Sequence, residues 1–136
     1  HWGNDISPEE NQYEAGLNFA ISYKKQVDFI GKQSLLKIKD KKQDKRFVMF
    51  SLKDSKPGHP LLLREEPIYL DSKIIGRSTS GNYSYNYKKN LSFGYIKSDF
   101  SNEELLEKNC FIEVEKKKYP IIIEIKPLKN KKITMF

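Results

Sequence analysis

The chain has 136 residues and a mass of 16.0 kDa, with 38% hydrophobic, 12% aromatic and 32% charged residues. This suits one folded domain around one core. It excludes a disordered chain, which would carry fewer aromatics, a membrane-spanning helix, since no apolar run approaches roughly 20 residues, and an intramolecular disulfide framework, since Cys110 stands alone, as suits a reducing compartment. The net charge of +7 leaves nucleic acid, acidic lipid or a polyanionic ligand open as partners.

The charge is uneven. Residues 1–23 hold four carboxylates (Asp5, Glu9, Glu10 and Glu14) and no Lys or Arg. The richest basic stretch, Lys37 to Arg46, is interleaved with Asp40 and Asp44 and reads as a solvated helix end and loop. The chain opens at His1-Trp2-Gly3 with no signal peptide, and we read it as the tail of a longer polypeptide.

In chain order, residues 1–16 are turn-rich, and Leu17 to Ile21 alternates like a strand. Gly31 to Lys39 predicts a short helix with Leu35, Leu36 and Ile38 apolar. Phe47 to Leu52 predicts a strand, and Ser55 to His59 a turn around Pro57-Gly58. Pro67 to Leu70 and Lys73 to Ser80 flank Asp71-Ser72 as a hairpin. Tyr83, Tyr85 and Tyr87 alternate, as do Leu91, Phe93 and Tyr95 after a Lys88-Lys89-Asn90 turn. Ser101-x-x-Glu104 is a capping box for a short helix. Phe111 to Glu115 and Tyr119 to Ile125 flank Lys116-Lys117-Lys118, and Pro127 ends the second strand. About six short strands at regular spacing after residue 46 give an antiparallel barrel or sandwich. The first 40 residues read as the end of an α+β unit packed on it.

Little in the chain carries chemistry by itself. There is no Gly-rich phosphate motif and no nucleophile elbow, and His1, His59 and Cys110 are too few and too scattered for zinc. His59, between Gly58 and Pro60, reads as a loop residue. The two aromatic runs at 83–87 and 91–95 offer either a base-stacking platform for single-stranded nucleic acid or, as we favour, a barrel core strand with tyrosine hydroxyls at its rim. Glu14, beside Ala15-Gly16 and near Trp2, Asp5 and Phe19, either caps locally or meets the donor edge of a flat heterocycle, where two N–H groups match two carboxylate oxygens.

The order of short motifs is specific. Trp2-Gly3-Asn4-Asp5-Ile6 precedes Glu14-Ala15-Gly16-Leu17-x-Phe19 and Asp28-Phe29-Ile30-Gly31-Lys32-x-x-Leu35. Glu66-Pro67-Ile68-Tyr69, Ile75-Gly76-Arg77-x-Thr79-Ser80-Gly81 and Leu91-x-Phe93-Gly94-Tyr95-Ile96 follow. Over residues 1–128 this resembles the C-terminal part of the aminomethyltransferase family, the glycine-cleavage T-protein and its relatives. The Glu-Ala-Gly-Leu form and the run Ser80 to Tyr85 are most similar to the folate-binding C-terminal region of dimethylglycine and sarcosine dehydrogenases. They are also similar to a pyruvate dehydrogenase phosphatase regulatory subunit.

The resemblance implies a mainly β fold. Residues 1–42 would be the end of an α+β folate-binding domain, followed by an antiparallel Greek-key-like β-barrel over 43–136. It implies transfer of a one-carbon unit to tetrahydrofolate, giving 5,10-methylenetetrahydrofolate. The needed aspartate would lie upstream, as would the flavin (FAD) domain. No residue of this chain is then catalytic, and no metal is expected. Trp2 and Phe19 fall at positions that relatives give to aromatic contacts with folate, and Glu14 lies in the same motif. Asp28 to Gly31 would start a helix, and Thr79-Ser80-Gly81 would form a tight turn. The charged Ser101 to Lys108 stretch replaces the family's usual Gly-containing turn. Partners would be folate and upstream domains, with no membrane and no nucleic acid, in a bacterial cytoplasm or mitochondrial matrix. The basic excess would also suit the polyglutamate tails of folates. The rival readings are a T-protein fragment, a non-catalytic regulatory or binding module on the same scaffold, and a free-standing nucleic-acid-binding barrel.

Overall fold

The computed structural model describes residues 1–125 and 128. Six strands close into an antiparallel barrel: β1 (Lys45–Leu52), β2 (Pro67–Leu70), β3 (Lys73–Ser84), β4 (Lys89–Lys97), β5 (Cys110–Val114) and β6 (Lys117–Glu124). Around the barrel the order is β1-β4-β3-β2-β5-β6. β2, β3 and β4 form a meander and β1 lies back beside β4, which is the Greek-key arrangement. Two short helices, α1 (Lys32–Ile38) and α2 (Asn102–Glu107), stand outside the sheet. Among the described residues no helix is long and apolar enough to cross a membrane.

Period-two alternation builds the interior. Phe50 and Leu52 from β1 meet Ile68, Ile75, Ile96 and Ile112 from the neighbouring strands, all with no exposed surface. The helix α2 carries the chain from β4 to β5. Its capping box is complete: Ser101 Oγ accepts from the Glu104 N–H at 3.1 Å, and Glu104 Oε2 accepts from the Ser101 N–H at 2.9 Å. Leu105 of this helix is buried against the core, and Cys110 is buried beside it with Sγ 3.6 Å from the Leu105 carbonyl oxygen.

Several expectations change. Leu17 to Ile21 is no strand. Asn18–Ala20 is a single 3-10 turn, after Gly16 in the left-handed region at φ 70°. Its N–H groups are taken up locally instead, Ala20 donating to the Leu17 carbonyl at 3.0 Å and Ile21 to the Asn18 carbonyl at 3.2 Å. The Thr79-Ser80-Gly81 turn is instead a bulge within the continuous β3, where the register against β4 shifts between Ser78 and Ser80. The β5–β6 turn is tighter than the lysine run suggests. Glu115 and Lys116 both take positive φ (50° and 63°), as a two-residue hairpin demands, so Lys117 and Lys118 already belong to β6. Pro127 lies outside the described residues.

The aromatic runs also fall differently. Tyr83 pairs with Asn90, and Tyr85 and Tyr87 lie in the turn between β3 and β4. On β4 the residues facing inward are Asn90, Ser92, Gly94 and Ile96, so Leu91, Phe93 and Tyr95 face outward. The rings form neither a continuous platform nor a core strand. Tyr83 and Tyr85 meet edge to face at 5.1 Å, while Phe93 and Tyr95 gather around Phe47 on the outer wall.

Candidate functional site

The outer wall of β1 and β4 is where the N-terminal segment docks. Phe47 stacks on Phe93 with centroids 5.2 Å apart and planes 13° from parallel, and it leans on Tyr95 at 5.0 Å. β6 pairs only with Met49–Leu52, which leaves the first half of β1 without a neighbour on that side. The chain fills part of that seam itself, because the Phe47 N–H donates to the Glu14 carbonyl at 2.8 Å. The rest of the seam is a groove of about 550 Å³ whose lining includes Ala15, Gly16, Phe47, Met49, Phe93 and Ile125.

Three carboxylates converge here. Asp5 is buried. Its Oδ1 accepts from Thr79 Oγ1 at 2.6 Å and Ser80 Oγ at 2.7 Å, and its carbonyl accepts from the Tyr95 hydroxyl at 2.9 Å. Glu10 is held below its usual pKa. Burial raises its pKa, and the Lys45 ammonium at 2.7 Å with the Ser7 hydroxyl and N–H bring it down. Lys45 also sits 4.9 Å over the Tyr95 ring. The Tyr95 hydroxyl is pushed up to about 12, first by burial and then by Glu10, Glu14 and Asp5.

The three residues singled out from the sequence occupy different surroundings. Trp2 is 70% exposed and Phe19 is 82% exposed. Glu14 is buried, with Oε2 accepting from the Asn11 N–H at 3.0 Å, so one of its oxygens closes the local turn. Among the described residues Oε1 of Glu14 takes no hydrogen bond, and none of the ring contacts or hydrogen bonds described joins Trp2, Glu14 and Phe19. Sequence reasoning missed Tyr95 as the hub of the site, and it read Thr79 and Ser80 only as turn residues. The signal was present: the consecutive hydroxyls of Ser78, Thr79 and Ser80 within one strand invite a buried acceptor. No group of His, Cys, Asp and Glu suited to a metal occurs among the described residues.

Comparison with known proteins places this geometry in context. Residues 45–128 match the family described as the glycine cleavage T-protein C-terminal barrel domain. Mitochondrial dimethylglycine dehydrogenase from Homo sapiens is 35% identical over 129 residues, covering 93% of this chain and 14% of the relative. An aminomethyltransferase from Symbiobacterium thermophilum is 34% identical over 95 residues, covering 70% of this chain and 24% of the relative. The crystal structure of the glycine cleavage system aminomethyltransferase T from Bartonella henselae superposes with a TM-score of 0.74 at 20% identity, over 90% of this chain and 33% of that one. The chain thus spans well under half the length of each of these relatives.

Proposed function

The chain belongs to the family of the glycine cleavage T-protein C-terminal barrel, and on that premise we propose that it is the C-terminal part of a folate-dependent N-methyl amine dehydrogenase of the dimethylglycine or sarcosine type. Residues 1–42 then end the folate-binding domain and the barrel buttresses it. Tetrahydrofolate, when bound, supplies the amine nitrogens that take up a one-carbon unit. This chain's part is to bind and orient the folate. Trp2 and Phe19 offer apolar ring faces, and Glu14 offers Oε1 to the N–H edge of the heterocycle.

One observation carries this reading. Two large rings stay uncovered on an N-terminal segment that is otherwise pinned down, and the same segment carries a buried carboxylate with an oxygen to spare. Exposed Trp and Phe on a fixed scaffold cost solubility unless something covers them. A flat ring system with adjacent N–H donors matches both features. The hydrogen bonds at Asp5 and Glu14 hold the backbone around them in place, which lowers the ordering cost of binding there.

The aminomethyltransferase among the relatives supports a second reading, a T-protein fragment with no flavin domain. The sequence upstream of His1 separates the two: a Gly-x-Gly-x-x-Gly motif after a first strand belongs to the dehydrogenase. The site itself is tested by folate titration of the full chain. Trp2→Ala with Phe19→Ala should weaken reduced-folate binding at least about tenfold, in keeping with the loss of two ring contacts. Equal binding by the variant would remove both residues from the site. By location we place the protein in a mitochondrial matrix or bacterial cytoplasm, where these relatives occur.

A further inference from the structure

A second groove lies at the opposite end of β1 and β4, and nothing in the proposed folate role uses it. From Phe47 to Lys53 the chain advances six residues, roughly 20 Å along the barrel wall at ~3.3 Å per residue. There the groove encloses about 550 Å³ between the loop after β1 and the β3–β4 turn. Lys53, Lys56, Lys88 and Lys89 line it, against the single carboxylate of Asp54. Outside the groove Lys32, Lys42, Lys45 and Lys108 pair with an Asp or Glu, while others among the described residues, such as Lys24, Lys25 and Lys73, do not. Among the described residues none of the four groove lysines has a carboxylate within ion-pair distance.

The groove is held in shape from beneath. Asn90 is 2% exposed. Its side-chain amide donates to the carbonyls of Lys56, His59 and Pro60 at 3.4, 3.1 and 3.4 Å, and its own N–H donates to Ser55 Oγ at 3.0 Å. One buried polar side chain thus sets the path of the whole lysine-bearing loop. The floor is aromatic: His59 meets Tyr119 edge on, with centroids 6.2 Å apart. Like charges gathered on a fixed concave surface repel one another, and an anionic ligand in the groove relieves that repulsion. The basic residues are all lysines, which bind as point charges and not as planar forks. They suit phosphate or carboxylate groups strung along a flexible ligand.

We propose that this groove is a binding site for a small ligand carrying two or more anionic oxygen groups, phosphate or carboxylate, and that it is distinct from the proposed folate site. Its walls belong to the barrel alone, so its failure and the failure of the folate reading are separable.

The test titrates the full chain with inorganic tripolyphosphate and with tetraglutamate at low salt and at about 150 mM salt, by calorimetry and by amide chemical shifts. The expected result is saturable binding of at least one probe, with shifts confined to residues 53–60 and 87–90. Lys53→Glu with Lys56→Glu should weaken it at least about tenfold, while the same double reversal at Lys24 and Lys25 leaves it unchanged. An unchanged melting temperature shows that the variant is folded. Tighter binding of tripolyphosphate assigns a phosphate ligand, and tighter binding of tetraglutamate a carboxylate one. Equal binding by the groove variant, shifts scattered over the other lysines, or no saturation by either probe overturns the proposal. So does a short single-stranded RNA that outcompetes both probes, since the surface would then serve a nucleic acid.

Discussion

Thr79 Oγ1 donates to Asp5 Oδ1 at 2.6 Å across 74 positions of sequence, and both residues are buried. With Ser80 on the same oxygen and Tyr95 on the Asp5 carbonyl, one aspartate pins the N-terminal segment to β3 and β4. Asp5→Ala leaves the Thr79 hydroxyl buried without its acceptor. We expect a loss of about 2–3 kcal/mol in urea unfolding, the cost of removing hydrogen bonds to a charged acceptor. Proteolysis within residues 1–16 should quicken at the same time. An unfolding midpoint equal to that of the parent would show that the clamp is not a stabilising contact.

A carboxylate of the same segment sets an acid limit. Glu10 has a folded pKa below its ordinary one. A depressed carboxylate contributes stability above its unfolded pKa and loses it as pH falls through the folded one. Docking of the N-terminal segment should therefore be intact at neutral pH and fail below about pH 4. Trp2, the single tryptophan, reports it. Its fluorescence should change in that window while the far-UV signal of the barrel persists. Coincident loss of both signals would mean that the segment and the barrel unfold as one.

Tyr95 sets a limit at the other end. Its hydroxyl is raised to about 12 from an ordinary 10.0. A raised group contributes stability below its unfolded pKa and loses it as pH climbs to the folded one, so the window runs from 10 to 12. Tyr13, whose hydroxyl is raised to about 12 by desolvation and by its hydrogen bond to the Tyr23 hydroxyl, titrates in the same range. In an absorbance titration of the eight tyrosines, Tyr95→Phe should remove one late-ionising ring and leave the early phase unaltered. Loss from the early phase instead would place Tyr95 in contact with solvent.

The barrel was legible because alternation survives in short strands: all six were visible from residue 46 onward, and the capping box at Ser101 and Glu104 stands as read. What was not legible is which face points inward. Leu91, Phe93 and Tyr95 look like the core face of β4, yet Asn90, Ser92 and Gly94 are buried. The small residues face inward, while the large rings serve the wall where the N-terminal segment docks. Period two gives the alternation but not its sign. The false strand at Leu17 to Ile21 fails for a related reason. Alternation marks a segment able to pair, and here the N–H groups of Ala20 and Ile21 turn back onto Leu17 and Asn18 instead.

Gly94 tests how closely β3 and β4 approach each other. A Cβ added there would stand 2.4 Å from the Arg77 carbonyl oxygen and 3.1 Å from the Ser78 Cα, both backbone atoms of the adjoining β3. Backbone within a ladder does not swing aside as a side-chain tip does, so β3 and β4 must separate locally and stretch their hydrogen bonds. Gly94→Ala should cost about 2–3 kcal/mol, the upper part of the range for overpacking. Gly58 offers the contrasting control. It lies in a loop with nothing within 4 Å of the added carbon, but its φ is +72°. Gly58→Ala strains only its own backbone and should cost about 1 kcal/mol. The two variants separate further by hydrogen exchange. Gly94→Ala should speed exchange along β3 and β4, including Ser78 and Ile96, whereas Gly58→Ala should leave both strands protected. If Gly94→Ala proved as mild as Gly58→Ala, β3 and β4 would not be held at the separation described here.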